Sequence, residues 1–101
     1  MRETGRTGFK AHLMKEIVQR FPDCIMFHQD PNVTHQGIPD LLILNGERWA
    51  MLETKGAPRS KRQPNQEYWV SFYNEMSFAA FVYPENEGEI LDALQSALQP
   101  C

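Results

Sequence analysis

Two short stretches of the sequence place charged side chains at the ends of apolar runs. In the segment GIPDLLIL, Asp40 follows Pro39 and precedes four aliphatic residues, and in the segment WAMLETKG, Glu53 and Lys55 end a second apolar run. An ionised carboxylate is costly in a buried strand unless a partner compensates its charge. The two stretches therefore predict a partnered polar site at one end of a sheet, with a turn residue and a solvated strand end as the less favoured alternative.

An Asn-Gly pair at 45–46 separates the two stretches and is a strong hairpin signal. A two-residue turn there would pair residue 40 with residue 51, and a longer loop would move the pairing towards residue 53. In either register Asp40 and Glu53 lie within diagonal cross-strand reach. Glu53 and Lys55 share one face of their strand because they are two residues apart. A divalent cation with hard oxygen ligands, Mg²⁺ or Mn²⁺, would relieve the repulsion between the two acids.

The remaining pattern predicts the elements that position these groups. An amphipathic helix is expected over 8–21, where apolar side chains recur at helical spacing before Pro22. Strands are expected at 24–28, 38–44, 48–55 and 78–83, and further helices at 65–76 and 87–98. This order predicts a single α/β domain over residues 1–101 with a central mixed sheet. Its first three strands should be mainly antiparallel, and the fourth should join through a helical crossover.

The charge of the chain is unevenly distributed. Its 101 residues carry a net charge of −3, yet basic residues concentrate in 1–20 and 55–62, and no Lys or Arg follows Arg62. A local basic patch can grip phosphates even when the whole chain is acidic. No apolar stretch reaches the roughly 18 residues of a membrane span. Because Cys24 and Cys101 form no spaced framework, we expect a reduced, cytoplasmic protein.

A set of residues that spans the hairpin and the following helix resembles the motif of the PD-(D/E)XK nuclease superfamily: Gly37, Pro39-Asp40, Glu53-Thr54-Lys55, Gly56 and Gln66. Within it the sequence is most similar to the VRR-NUC domain, including its stand-alone phage-type members. The resemblance covers about residues 9–98. It implies a restriction-endonuclease-like αβββαβ core with a central mixed sheet flanked by helices, followed by a C-terminal helix. It also implies a Mg²⁺- or Mn²⁺-dependent endodeoxyribonuclease of a bacterial or phage-infected host cell.

The resemblance also implies roles for individual residues. Asp40, Glu53 and the backbone carbonyl of Thr54 would hold the metal. Lys55 would position and activate the attacking water. Gln66 would orient that lysine, the water or a backbone phosphate.

Relatives usually carry a further acid on the first helix. Glu16 is the candidate metal ligand here and Glu3 a weaker one, although Lys10 or His12 falls nearer the expected place. The candidate DNA contacts are basic or ring nitrogen groups: Lys10, His28, Arg59, Lys61 and Arg62. An ordinary solvated loop is the alternative for the last three of these.

Stand-alone relatives are similar to homodimeric junction resolvases, which implies a homodimer that cuts branched DNA, such as a Holliday junction. The helix at 65–76 adds an observation, because Tyr68 and Phe72 form one aromatic stripe while Trp69 and Tyr73 form another. One stripe can face the sheet, which leaves the other for a partner. Two alternatives stay open: a catalytically inactive DNA-binding or assembly module on the same fold, and an enzyme that acts on RNA or single strands.

Overall fold

The computed structural model describes residues 5–29, 36–57, 61–62 and 65–99, with side chains from Gly8 onward. The elements are α1 (Gly5–Arg20), β1 (Ile25–His28), β2 (Leu41–Asn45), β3 (Arg48–Thr54), α2 (Gln66–Met76), β4 (Ala79–Val82) and α3 (Glu87–Leu98). A 3-10 turn, Pro84–Asn86, leads into α3. The predicted order of elements is confirmed. The main differences are that α1 begins three residues earlier than expected and that β2 begins after Asp40 rather than before it.

The strands form one four-stranded sheet in the order β1-β2-β3-β4. The first three strands are antiparallel, and β4 pairs parallel to β3 after the crossover through α2. The predicted α/β fold with a central mixed sheet is therefore confirmed. Like β2, the strand β3 is paired on both edges, and it also contacts all three helices, so it receives contacts from every layer of the molecule.

The register between β2 and β3 differs from the simplest prediction. Asn45 pairs with Arg48, so the turn consists of Gly46 and Glu47 rather than of 45–46. Gly46 has a φ of 66°, which suits the first central position of a two-residue hairpin turn. Of the two registers that the sequence left open, the pairing of residue 40 with residue 51 is therefore wrong, and the structure has the register shifted towards residue 53. The ladder ends at the pair of Leu41 and Leu52, and its continuation places Asp40 opposite residue 53.

The main core lies between one face of the sheet and the helices α1 and α3. Alternate residues of β2 and β3 point into it, and the predicted stripe of α1 packs over them. The fully buried members are Leu13, Ile17, Phe21, Leu41, Ile43, Ala50, Leu52, Val82 and Leu94. On the opposite face α2 covers β3 and β4 through a smaller cluster of Met51, Val70 and Ala79. The strand β3 is therefore packed between α1 and α3 on one face and α2 on the other, and this packing fixes the position of its last residues.

Two observations bear on the environment of the chain. Within the described ranges no helix is long and apolar enough to cross a membrane. Cys24 carries a free thiol that packs against the main core, and desolvation by burial raises the pKa of this thiol despite an opposing backbone hydrogen bond. A neutral thiol is a poor nucleophile, so Cys24 acts as a packing residue. Cys101 lies outside the described residues.

The hairpin turn yields a test of the register. A Cβ added at Gly46 would meet no atom within 4 Å. The loss of stability in Gly46→Ala should therefore come only from placing an alanine in the left-handed backbone conformation. We expect Gly46→Ala to lower the free energy of unfolding by about 1–2 kcal/mol in urea titrations. Gly88, in the first turn of α3, has equally open space around it and an ordinary helical φ. Gly88→Ala should instead raise the stability by up to about 1 kcal/mol, and equal effects of both changes would contradict the assigned turn.

Candidate active site

Asp40 lies one residue before β2, where the chain bends into the sheet, and it is buried with 4% of its surface exposed. Its carboxylate accepts hydrogen bonds from the backbone N–H of Thr54 at 3.1 Å and from the Thr54 hydroxyl at 2.7 Å. The Lys10 ammonium lies 3.1 Å from the same Oδ2 atom that accepts from the hydroxyl. These partners explain how the acid can be buried. The Lys10 ammonium compensates the charge of the carboxylate, and the two donors of Thr54 satisfy its oxygen atoms.

The direction of the Thr54 peptide follows from its pairing. Lys55 donates its backbone N–H to the Val82 carbonyl on β4. Along a strand, the backbone N–H groups of successive residues point to opposite sides. Thr54 turns its own N–H the other way, to Asp40. In a strand the N–H and C=O of one residue point to the same side. The carbonyl oxygen of Thr54 therefore points to the edge where Asp40 lies, as the role predicted for it requires.

Glu53 and Lys55 share the α2 side of the sheet, as their spacing predicted. The Gln66 side chain bridges them: its amide donates to Glu53 Oε2 at 3.0 Å, and its carbonyl accepts from Lys55 Nζ at 2.7 Å. The Lys55 ammonium lies 4.0 Å from Glu53 Oε2. All three side chains are buried. Gln66 is the first residue of α2, so the start of this helix sets the geometry of the pair.

The basic segment after β3 is tied to the same lysine. Lys55 Nζ donates to the backbone carbonyl of Lys61 at 3.0 Å, while the Lys61 side chain is exposed. Arg62 stacks its guanidinium 3.7 Å from the ring centre of Phe81 and pairs with Glu67 at 2.7 Å. The main chain of this segment thus helps to hold Lys55, and Arg62 is anchored to the domain surface.

The donor set of the site fits a hard divalent cation. The two buried carboxylates, of Asp40 and Glu53, and the carbonyl of Thr54 all present oxygen atoms that could bind such a cation. Mg²⁺ commonly binds through one or two carboxylates and keeps several water molecules. Over the described part of the chain, no three His, Cys, Asp or Glu side chains lie close enough together to hold a metal ion between them. The protein would therefore supply two carboxylates and one carbonyl, a set that suits Mg²⁺ or Mn²⁺ better than Zn²⁺.

The other predicted residues have different outcomes. Glu16 on α1 does not join Asp40 and Glu53 in a three-ligand cluster. His28 is exposed at the end of β1, paired with Leu41, so it lies near the Asp40 end of the sheet. Glu3 and Arg59 lie outside the described residues. Of the predicted site residues, the structure thus brings together two groups at one end of the sheet: Asp40 with Thr54 and Lys10, and Glu53 with Lys55 and Gln66. The two groups adjoin because Thr54 follows Glu53 in the chain.

Two contributors escaped the sequence reasoning. Lys10 was predicted as a DNA contact, and the structure places it on Asp40. Lys10 precedes Leu13 and Ile17 by three and seven residues, so it shares their buried face, and this spacing could have signalled a lysine in need of a carboxylate. Gln29 donates its backbone N–H to the Asp40 carbonyl and its side-chain amide to the Pro39 carbonyl. No pattern in the sequence marks Gln29, because its contacts depend on the pairing of β1 with β2.

Comparisons with known proteins bear on the fold. No known protein family matches the chain, and no curated protein matches it either. Among solved structures, a VRR_NUC domain protein superimposes with a TM-score of 0.57 over 88% of this chain and 87% of its own, at 13% sequence identity. The chain has the fold of a VRR-NUC domain. At this identity the likeness establishes the fold alone, and any activity has to be argued from the site.

The bridge made by Gln66 can be tested through stability. Replacing it with Leu keeps the volume roughly constant but removes the donor to Glu53 and the acceptor for Lys55, two buried charged groups. We expect Gln66→Leu to lower the free energy of unfolding by about 1–3 kcal/mol in denaturant titrations. Gln19→Leu, the same chemical change at an exposed position of α1, should stay within about 0.5 kcal/mol of the wild type. Equal effects of the two changes would mean that the bridge contributes nothing to folding.

Proposed function

We propose that this chain is a Mg²⁺- or Mn²⁺-dependent endodeoxyribonuclease that acts on branched DNA as a homodimer. The observation that carries the proposal is the placement of two buried groups on adjacent residues at one end of the sheet: Asp40 is hydrogen-bonded to Thr54, and Gln66 bridges Glu53 and Lys55. These are the residues of the nuclease-like motif, and they sit in a domain with the VRR-NUC fold.

The arrangement supports separate roles for the metal ligands and for Lys55. Asp40, Glu53 and the Thr54 carbonyl would hold the metal, which when bound would lower the pKa of a water molecule and offset the charge that builds on the phosphate. Lys55 is held by Gln66 and by the Lys61 carbonyl, 4.0 Å from Glu53 Oε2. An ammonium fixed in this way can orient the attacking water against the phosphorus atom. Gln66 acts through the other two residues and is a positioning residue.

DNA binding is supported by the segment that follows β3. The Lys61 side chain is exposed beside the site, while its backbone carbonyl contacts Lys55. We assign Lys61 to a phosphate contact, with Arg59 as a further candidate. Arg62 is stacked on Phe81 and paired with Glu67, so it would support the segment and reach phosphate only after that pair opens. His28 is a candidate contact on the β1 side of the same end.

The preference for branched DNA and the homodimer are argued together. The described residues extend only 36 × 33 × 23 Å, so one copy cannot embrace a duplex. On α2, Trp69 and Tyr73 stack on each other, and Tyr73 packs onto the sheet-side cluster. Tyr68, Phe72 and Met76 form the other stripe and are 59%, 41% and 62% exposed. A two-fold partner would cover this stripe, and two symmetric sites suit the symmetric strands of a junction.

A second candidate function is an inactive DNA-binding or assembly module on the same fold. One observation favours it, namely that Lys10 already neutralises Asp40 and that no third acidic ligand joins the site in the described ranges. The two candidates differ in metal-dependent cleavage. Purified protein with Mg²⁺ or Mn²⁺ should be assayed on linear duplex, single-stranded, flap and four-way-junction DNA. Cleavage of the branched substrates supports the nuclease, and metal-independent binding with no cleavage supports the module.

Catalysis and binding should separate in two variants. Lys55→Gln keeps an N–H donor for its buried partners but removes the ammonium, so the domain should fold. We expect cleavage to fall by at least about 100-fold, in the range typical for loss of a group that assists proton transfer. The affinity for uncleaved DNA, measured in Ca²⁺ by fluorescence anisotropy, should change little. Retention of most of the cleavage rate would rule out the role assigned to Lys55.

The converse variant is Lys61→Gln, with Lys15→Gln on the exposed side of α1 as its matched control. Removing one phosphate contact should weaken DNA binding and reduce the log–log salt slope by about 0.9. The control should leave both the affinity and the slope near the wild-type values. An unchanged slope in Lys61→Gln would show that this lysine does not contact phosphate.

The dimer is tested by mass. Light scattering should give about twice the chain mass for the wild type, and the double change Tyr68→Ser with Phe72→Ser should give the monomer mass because it removes the exposed stripe. Phe27→Ser is the matched control, since Phe27 is an equally exposed aromatic residue on the edge strand β1. If Phe27→Ser dissociates the dimer and the α2 variant does not, the interface lies on β1 and the assignment to α2 is wrong.

A further inference from the structure

The contact between Lys10 and Asp40 differs in kind from the other charged contacts of the site. Lys10 lies on α1 on the same face as Leu13 and Ile17, and its ammonium is 3.1 Å from Asp40 Oδ2. The two side chains are only 16% and 6% exposed. In such a poorly solvated place an ammonium compensates a carboxylate strongly, and each partner becomes costly without the other.

The two lysines of the site are held in different ways. Lys55 donates to the neutral carbonyls of Gln66 and Lys61, at 2.7 and 3.0 Å, and lies farther, at 4.0 Å, from the carboxylate of Glu53. It can therefore stay in place when a cation binds Glu53. Lys10 instead lies directly on a carboxylate oxygen, which also accepts from the Thr54 hydroxyl. A metal ion that takes this oxygen would meet the Lys10 ammonium at the same atom.

We propose that Lys10 is a built-in counter-ion of Asp40 that a divalent cation must displace, so that Lys10 weakens and thereby sets the metal affinity of this site. The proposal rests on the proposed function, because it takes Asp40 as a metal ligand. Two cations cannot share one carboxylate oxygen at contact distance without strong repulsion. The flexible side chain of Lys10 and its partly exposed position allow the ammonium to leave. The metal-free protein is thus held in a charge-balanced state.

The consequence is opposite to that of an ordinary structural ion pair. Loss of a structural partner would loosen the site and weaken metal binding. Loss of a competing cation leaves Asp40 uncompensated in the metal-free protein and should strengthen metal binding. The sign of the change in affinity therefore distinguishes the two roles without any measurement of activity.

The experiment is a calorimetric titration of the full chain with MnCl₂. We expect Lys10→Met to bind Mn²⁺ about tenfold more tightly than the wild type, and Lys15→Met, an exposed lysine on the same helix, to stay within about twofold. Thermal unfolding provides a second measurement. Without metal Lys10→Met should unfold at a lower temperature than the wild type, and Mn²⁺ should raise its Tm more than it raises that of the wild type. If Lys10→Met does not fold without metal, Lys10→Gln replaces it with the same expected direction.

The outcomes separate this proposal from the proposed function. If the wild type binds Mn²⁺ and Asp40→Asn does not, but Lys10→Met binds no more tightly than the wild type, the counter-ion role is wrong and the metal site stands. If the wild type and Asp40→Asn bind Mn²⁺ equally, the metal site at Asp40 is wrong and the counter-ion role is overturned with it. Tighter binding by Lys10→Met together with loss of binding in Asp40→Asn supports both.

Discussion

The antiparallel register of β2 and β3 is the constraint on which the site depends. Because Asn45 pairs with Arg48, the ladder runs to Leu41 and Leu52, and the next position places Asp40 opposite Glu53. A slip of one residue would turn every side chain of a strand to the other face, so the core itself enforces this register. In this register Leu41, Ile43, Ala50 and Leu52 are all buried in the main core. Packing energy in the core therefore fixes the ends of the two strands, where the two acids lie.

Burying two acids at one end of a small sheet creates a problem of charge. The structure meets it with two lysines from different elements, Lys10 on α1 and Lys55 just after β3. Hydrogen bonds from Thr54 reach both oxygens of Asp40, and the Gln66 amide donates to Oε2 of Glu53. Each layer of the fold thus contributes one compensating group, and the carboxylates link α1, the sheet and α2. Polar groups that would be a liability in isolation become a network that orients its members.

The network also connects the interior to the basic segment. Lys55 is bonded to the main chain at Lys61, whose side chain faces solvent, and Arg62 fastens the same segment to β4 through Phe81. A ligand that moves this segment would act on Lys55 directly. Half of the six acids that follow Arg62, namely Glu87, Glu89 and Asp92, lie on α3, which packs on the face of the sheet opposite α2. Local charge at the end of the sheet is what a phosphate would meet.

The sequence by itself determined the elements, their order and the identity of most site residues. Apolar periodicity predicted all three helices and four strands, because burial of one face is a local property of the chain. The spacing of Glu53 and Lys55 predicted their common face for the same reason. The turn was less certain, because an Asn-Gly pair marks a hairpin without deciding which two residues are central. The packing of both strands decided that in favour of Gly46 and Glu47.

Only the tertiary structure decided the partners of the acids. Lys10 reaches Asp40 because α1 crosses the sheet at one particular place, and no sequence spacing encodes the position of a helix over a strand some 30 residues away. Gln66 was already a candidate, but its bridge between Glu53 and Lys55 depends on how α2 begins against β3. The Lys61 contact uses its main-chain carbonyl. Because every residue has such a carbonyl, the residue type at position 61 could not predict the contact. The residue types that make up the site can be read along the chain. Which buried charges pair with each other depends on how distant segments pack together.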